Sequence, residues 1–369
     1  IPILAVYLKT ICPTVYLGDS GEFTAAAFCL GIPHNSGYPL YSLLGKLFSF
    51  IPLGHIAFRV NVMSAFFGVM TVYLVYGLLL NMTSSQVPAF VGALLLAFTS
   101  TLWSQTVSAE VYTLHAFFVA LIIRLLWWWY EKRNFCRLSI LVFVAGISFG
   151  NHMQTVMLAP AVLFVILSTD YKVLVNARNF FFLFILFTFA LSVYLDLPIR
   201  TEAAAAIHYG DPNTLERFLA HVTARAHREG YMMTKGTAQY LSRMGEALSV
   251  VASQFGVALI FALLGWLKMD SLRWRMFFLI VIVSDFIYTV FLNIVSLEIT
   301  PFGLSTCMSL AILSGIGINY LLKAAKQHAS IGEMTYRSIG GAFIILSFIP
   351  LIFNYQRCDQ SRNYTADEH

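Results

Sequence analysis

"NFFFLFILFTFALSVYL", residues 179–195, contains no charged side chain and one amide among seventeen residues. Its apolar residues run on without alternation. A strand of a membrane barrel would change sign at every second position, so this stretch reads as helix. Buried on all sides, a helix of this composition belongs in a lipid bilayer or deep in a large core. The rest of the chain decides between these. Of 369 residues 59% are hydrophobic and 11% charged, with a mean hydropathy of +0.75. Soluble domains carry roughly 25% charged residues. The deficit excludes a water-soluble globule, and apolar runs near the length a bilayer requires recur throughout.

Working outward from 179–195, interrupting charges divide the chain into spans near 1–13, 57–80, 86–104, 111–130, 137–150, 152–168, 178–198, 247–267, 274–295, 303–323 and 338–355. The expectation is an all-α polytopic membrane protein of about eleven transmembrane helices. The pair flanking Asn151 is short for two full crossings, and broken helices buried in protein are the alternative. Orientation follows from loop charge. "EKRNFCR", "DYKVLVNAR", "KMDSLRWR" and "KAAKQHASIGEMTYR" fall on one face and are rich in Lys or Arg. The turns near 105–110, 151 and 296–302 on the other face have none. That second, outer face is expected to hold the loops 14–56 and 199–246 and the polar tail 357–369.

Net charge is +5, a consequence of loop Lys and Arg in such a chain and no sign of nucleic-acid binding. The five cysteines (Cys12, Cys29, Cys136, Cys307, Cys358) form no CxxC and sit in or near apolar segments, so neither a disulfide framework nor a zinc site is expected. The chain starts at Ile1 without Met and stops in a polar tail, which reads as a piece of a longer protein whose outer segment begins at 357. Two glycosylation sequons occur, Asn81-Met82-Thr83 on the inner face and Asn363-Tyr364-Thr365 on the outer. Within 199–246, "GDPNTLERFL" has a turn, a cap at Asn213 or Thr214, and Leu215, Phe218, Leu219 and Val222 at helical spacing. An amphipathic helix lying on the membrane surface is expected there. Arg200, Arg217, Arg225, Arg228, Lys235 and Arg243 offer cations for lipid phosphates, with a solvated polar face as the alternative.

Ionisable groups at a membrane edge are functional candidates. The outer edge holds Asp19, Glu22, His34, Glu110, His115, His152 and Arg200. In "GDSGEFTAAAFCLG", Asp19 and Glu22 have the spacing of a capping box, with Gly31 as the stop of a helix over 20–30. The same two carboxylates, one turn apart, also suit a general base for an alcohol nucleophile; both readings stand. His34 lacks further ligands at metal spacing, so no metal is expected. Glu110 either caps a helix from Val111 or touches a polar substrate. His115 is expected to pack. Asn151 and His152 either satisfy backbone at a helix break or contact substrate. Arg200 either snorkels or grips phosphate in bidentate fashion.

"PTVYLGDSGEFTAAAFCLGIPHNSGYPLYSLLGKLFSFIPLGHIAFRVNVMSAFFG", "WSQTVSAEVYTLHAFF", "GNHMQT", "LPIR…YGDPNTLERFLAHV" and "NYQRCDQSRNY" together resemble, in order and along nearly the whole chain, a family of polytopic membrane proteins. Its signature is GDSGE, then His-Pro-Pro-Gly-Tyr-Pro-Leu, then Tyr-Arg-Val-Asn. One animal member is a protein O-mannosyltransferase of the endoplasmic reticulum that acts on plexin-type IPT domains. The resemblance implies a GT-C glycosyltransferase-like fold, with a catalytic module over 1–356 and amphipathic helices in the outer loops. It implies a dolichyl- or polyprenyl-phosphate sugar donor, mannose as the sugar, Ser/Thr hydroxyls of a protein acceptor, inversion at the anomeric carbon and no cofactor. The implied base is Asp19, with Glu22 beside it; His34, Tyr38, Arg59, Glu110, Asn151, His152, Arg200 and Asp211 fall on its motifs as substrate-binding candidates. The membrane is that of the endoplasmic reticulum in a eukaryote and the inner membrane in a bacterium. Here His34-Asn35-Ser36 replaces His-Pro-Pro, an Ala run with His208-Tyr209 stands where relatives carry Trp before Gly-Asp, and "LEITPFG" replaces an aromatic-rich segment. The rival reading is a transporter or lipid-linked sugar flippase, which predicts charges within spans and inverted repeats.

Overall fold

The computed structural model describes residues 2–225, 236–293, 300–327 and 332–364. Arg228, Lys235, most of the turn 296–302, the start of "LEITPFG", His328 to Ile331 of one inner loop and Thr365 of the second sequon lie outside the described residues. The described chain is helical; a single isolated bridge pairs Ile32 with His208.

Among the described residues, seven helices are long and apolar enough to cross a membrane: 56–83, 112–131, 153–170, 177–202, 272–292, 300–327 and 333–358. All seven coincide with expected spans. Two further expected spans are broken helices. Gln86–Ala97 and Ser100–Thr106 meet at 64°, and Thr237–Phe255 and Ala258–Lys268 meet at 95°. The remaining two, Pro2–Thr10 and Phe135–Ser148, are helical but short, with 9 and 14 residues. The count of eleven therefore holds for apolar segments, whereas helices long and apolar enough to cross number seven among the described residues, or nine if each bent pair is one span. Hydropathy could not separate these cases, because a bend changes direction without changing composition.

Local chemistry explains the bends. Gly256 has φ +44, a left-handed value that favours glycine, and it ends the first arm of the 95° pair. Thr99 caps the second arm of the other pair, accepting from the Leu102 amide at 3.3 Å. A third break follows Ser148: the Asn151 side-chain amide donates to the Val111 carbonyl at 3.1 Å, and His152 Nδ1 accepts from the Gln154 amide at 3.2 Å. His152 thus satisfies backbone at the break itself, whereas Asn151 ties the break to the start of the helix Tyr112–Glu131.

The core runs through one cluster extending from Tyr7 to Cys358. The 300–327 span lies at its centre, with 78% of its apolar window buried, whereas 333–358 is peripheral at 17%. Where Ala258–Lys268 crosses Leu304–Gln327, a Cβ on Gly265 would sit 1.9 Å from the Leu313 carbonyl oxygen, and one on Gly317 would sit 2.0 Å from that of Phe261. Only glycine lets these backbones approach, the small-residue contact used between membrane helices. Large apolar residues on the outer rim, such as Phe181, Ile185 and Phe189, remain exposed, as a lipid-facing surface requires. The chain is an integral membrane protein.

The surface helix forms over Leu215–Val222, with Thr214 as its cap, accepting from the Arg217 amide. Phe218 and Val222 pack on Ile32, Tyr194 and Leu197, while Leu215 and Leu219 stay exposed. One apolar flank holds the helix to the protein and the other is left exposed.

Candidate active site

The loop between the first helix and Ser20 brings Asp19 to the start of the helix Ser20–Cys29. Asp19 occupies the N-cap position but its side chain makes no cap hydrogen bond, and its backbone is already helical. The capping box expected from the spacing is therefore absent. Glu22 explains why: its carboxylate is engaged elsewhere. Oε1 accepts from the His34 amide at 2.5 Å and Oε2 lies 3.1 Å from His34 Nδ1. The helix ends at Cys29, with Leu30 rather than Gly31 in the left-handed conformation.

His34 is the hub of the group. Its Nε2 lies 3.3 Å from the Tyr38 hydroxyl and 4.0 Å from Asp19 Oδ2. Phe23 supports the rings, with centroids 5.4 Å from His34, 5.3 Å from Tyr38 and 5.2 Å from Tyr41. Burial works against a charged imidazole, but the hydrogen bond and charge of Glu22, with the charge of Asp19, outweigh it and raise the His34 pKa. Burial likewise pushes the Glu22 carboxyl up, and the His34 side chain and amide bring it to a net lowering. Burial raises the Tyr38 hydroxyl, which donates to the Asn35 carbonyl at 3.1 Å and stays protonated. Burial, helped by the charge of His34, lowers His152 to about 4, so it is neutral. Its ring lies 6.0 Å from that of Tyr38 and 5.3 Å from that of buried His115.

Asp19 differs from its neighbours in exposure: 59% of its side chain is free, against 20% for Glu22 and 27% for His34. It opens into a polar cavity of about 590 Å³ that Glu110, Gln105, Glu246 and Arg357 also line. The N-cap position of the helix Tyr112–Glu131 is Val111, and the Glu110 amide donates to the Ser64 hydroxyl at 3.4 Å. The arrangement provides one accessible carboxylate beside a fixed carboxylate–imidazole pair, which is a geometry for accepting a proton from a polar substrate. Ligand atoms of Asp19, Glu22 and His34 also lie within 4.8 Å of one another, close enough to hold a cation together. Sequence spacing had excluded such a set, because it treated His34 apart from the carboxylates twelve and fifteen residues before it.

Other candidates lie apart from this cavity. The Arg59 guanidinium donates to the carbonyls of Ser49, Leu53 and Gly54 and holds the loop after the helix Pro39–Ser49. Arg200 pairs with Asp196 at 3.0 Å, and Asp211 lies 3.4 Å from His208 Nε2. Asn151 is fully buried against Val111. The carboxylates inside spans are tied as well. Asp285 accepts from Gln154 Nε2 at 3.0 Å, the Thr306 amide at 2.9 Å and the Thr306 hydroxyl at 2.7 Å. A translocation path would want such groups open, so this argues against the transporter reading. Arg357 and Glu246 were missed as site residues. Arg357 sits inside "NYQRCDQSRNY", a motif whose position in the fold could not be read from its composition.

Comparison with known proteins fits this geometry. Residues 19–175 match the family described as Protein O-mannosyl-transferase TMEM260 N-terminal domain. The resemblance read from the motifs holds. Protein O-mannosyl-transferase TMEM260 of Mus musculus is 30% identical over 229 residues, covering 59% of this chain and 32% of its own length. The tmem260 protein of Dictyostelium discoideum is 24% identical over 416 residues, covering 98% of this chain and 50% of its own length. The chain thus spans a third to a half of these TMEM260 relatives. Among solved structures, ArnT from Cupriavidus metallidurans, crystallised with undecaprenyl phosphate, superposes with a TM-score of 0.64 at 12% identity, covering 96% of this chain and 71% of that one. Arabinosyltransferase EmbB from Mycobacterium smegmatis gives 0.55 at 10% identity, covering 98% and 38%. The TMEM260-like chain therefore has the polytopic fold of membrane glycosyltransferases.

Proposed function

We propose that this chain is the catalytic membrane part of an inverting glycosyltransferase. It transfers a sugar, mannose by family resemblance, from a dolichyl- or polyprenyl-phosphate donor to Ser/Thr hydroxyls of a protein acceptor. The observation that carries the reading is Asp19: an exposed carboxylate at the edge of a polar cavity, next to a half-buried Glu22–His34 pair. Asp19 takes the proton of the acceptor hydroxyl as its oxygen bonds to the anomeric carbon, and the lipid phosphate leaves from the opposite face. Positive charge develops on the ring in such transfers, and Asp19 and Glu110 supply a negative field for it. Glu22, His34 and Tyr38 hold the loop that carries Asp19. The chemistry proceeds without a resident cofactor in this reading. The names of the TMEM260 relatives support the sugar and the protein acceptor, and the lipid in the ArnT structure supports the donor class. The site faces the lumen of the endoplasmic reticulum in a eukaryotic cell, or the periplasm in a bacterium.

Asp19→Asn is the direct test, with purified protein, lipid-linked mannose and acceptor domains. Loss of a general base lowers turnover about 10²–10⁴-fold. Activity within a few-fold of the unmodified protein, at equal folded yield, overturns Asp19 as the base.

A further inference from the structure

We propose that the donor lipid lies in an apolar slot between the two broken outer helices, with its phosphate held by Arg357 rather than Arg200. This rests on the glycosyltransferase reading above. The slot has a volume of about 480 Å³ and is lined mainly by apolar side chains, among them Leu95, Val257, Phe261 and Phe353. It opens where Thr237–Phe255 bends into Ala258–Lys268 and where Glu333–Leu346 gives way to Ile349–Cys358.

Three elements each line both this slot and the polar cavity of Asp19. On the helix Ile349–Cys358, Phe353 faces the slot and Arg357 the cavity. They are four residues apart, so they share one helix face about 6 Å apart along the axis. On Thr237–Phe255, Ser253 faces the slot and Glu246 the cavity; on 86–106, Leu95 and Ser100 do the same. The two spaces are consecutive along these helices. Their walls are fixed to one another: Gln254 Nε2 donates to the Thr101 hydroxyl at 2.6 Å, and the Thr101 amide donates back to Gln254 Oε1 at 3.0 Å. An apolar space leading into a polar one suits an amphiphile with a long hydrocarbon tail.

The charge at the junction defines the head. Arg357 is the one cation among the described residues lining the cavity; Asp19, Glu110 and Glu246 are its carboxylates. No hydrogen bond or ion pair with another described residue engages the Arg357 guanidinium, whereas Arg200 is paired with Asp196 and Arg59 is spent on three carbonyls. A guanidinium matches phosphate oxygens in a two-pronged geometry. The acidic groups repel phosphate from the rest of the cavity and keep Asp19 for the acceptor. The segment is held firmly: Asn354 Nδ2 donates to the Phe98 carbonyl at 2.7 Å, the Gln360 amide donates to the Thr10 carbonyl at 2.9 Å, and Tyr355 packs edge-on against Trp103.

The test is equilibrium binding to the purified full chain in detergent, with undecaprenyl phosphate, undecaprenol and inorganic phosphate as separate probes. Arg357→Gln is expected to weaken undecaprenyl phosphate about tenfold, the scale of a lost charge-assisted contact, and to leave undecaprenol unchanged. Val257→Trp fills the slot at an exposed position and weakens both lipids. Arg200→Gln binds like the unmodified protein, and melting temperatures confirm that the variants fold. Undiminished binding of undecaprenyl phosphate by Arg357→Gln overturns the head site. Inorganic phosphate displacing the lipid phosphate as well as undecaprenol does overturns the tail slot. Sugar transfer separates the two readings: an active unmodified protein with unchanged donor KM in Arg357→Gln sinks the lipid site alone. Tight, Arg357-dependent lipid binding without any transfer sinks the glycosyltransferase reading and leaves the site standing.

Discussion

At the scale of single residues, Glu22 is the most informative. Its spacing from Asp19 is that of a capping box, yet it bonds His34 twelve residues on. The carboxylate thereby closes the loop that carries Asp19 instead of closing the helix start. This gives the pair a definite pH signature. The raised pKa of His34 means its contribution to stability is complete below its ordinary value of 6.5 and fades as pH rises through the raised value. The lowered pKa of Glu22 means its contribution is complete above 4.5 and fades as pH falls through the lowered value. The pair is therefore at full strength between pH 4.5 and 6.5. Glu22→Gln is expected to cost about 1–2 kcal/mol in that window, in the range of a charge-assisted hydrogen bond. Thermal unfolding in detergent across pH should show the deficit shrinking on the alkaline side. A deficit independent of pH would mean that the pair is not ionised.

At the scale of elements, the broken helices and the glycine crossing shape the site. The crossing of Ala258–Lys268 with Leu304–Gln327 anchors one arm of the 95° bend, whose other arm carries Glu246 into the cavity. Gly317→Ala would put a Cβ 2.0 Å from the Phe261 carbonyl oxygen, so one helix must move away. Overpacking of this kind costs about 1–3 kcal/mol. Gly341→Ala is the contrasting case: nothing lies within 4 Å of its Cβ, and alanine is the better helix former. Melting temperatures should fall for the first and hold or rise for the second. Equal behaviour would show that the close crossing does not form.

At the scale of the whole molecule, the loop charges orient the chain. Cys136 lies in the basic loop "EKRNFCR" and is exposed, while Leu17 is 61% exposed beside the Asp19 cavity. In sealed cells or vesicles, a membrane-impermeant thiol reagent should label Leu17→Cys from the outer side and reach Cys136 only after permeabilisation. Labelling of both from one side would overturn the proposed orientation. The same topology predicts that Asn81 carries no glycan, since its sequon lies on the inner face with the basic loops.

What the amino-acid order alone determined is the solvent and, with it, the class of fold. Eleven apolar segments and the alternation of loop charge follow from transfer free energies that each segment carries on its own, whereas a polar helix start such as Thr237, ten residues ahead of the apolar run from 247, does not. Asp19 was legible as a candidate for the same reason: a carboxylate in a Gly/Pro-rich loop at a membrane edge is a local feature, and the family motifs run through it. Tertiary structure decided which polar groups meet. Glu22 chooses His34 over the helix start, Arg200 turns to Asp196, and Arg357 arrives at the cavity from 338 residues beyond Asp19. Bends of 64° and 95° decide it too, because they set direction without a signature in hydropathy. Burial in a bilayer is a sum over residues, so it can be read along a line. A site is a convergence of side chains from distant turns, and its members are selected only when the packed helices fix the distances between them.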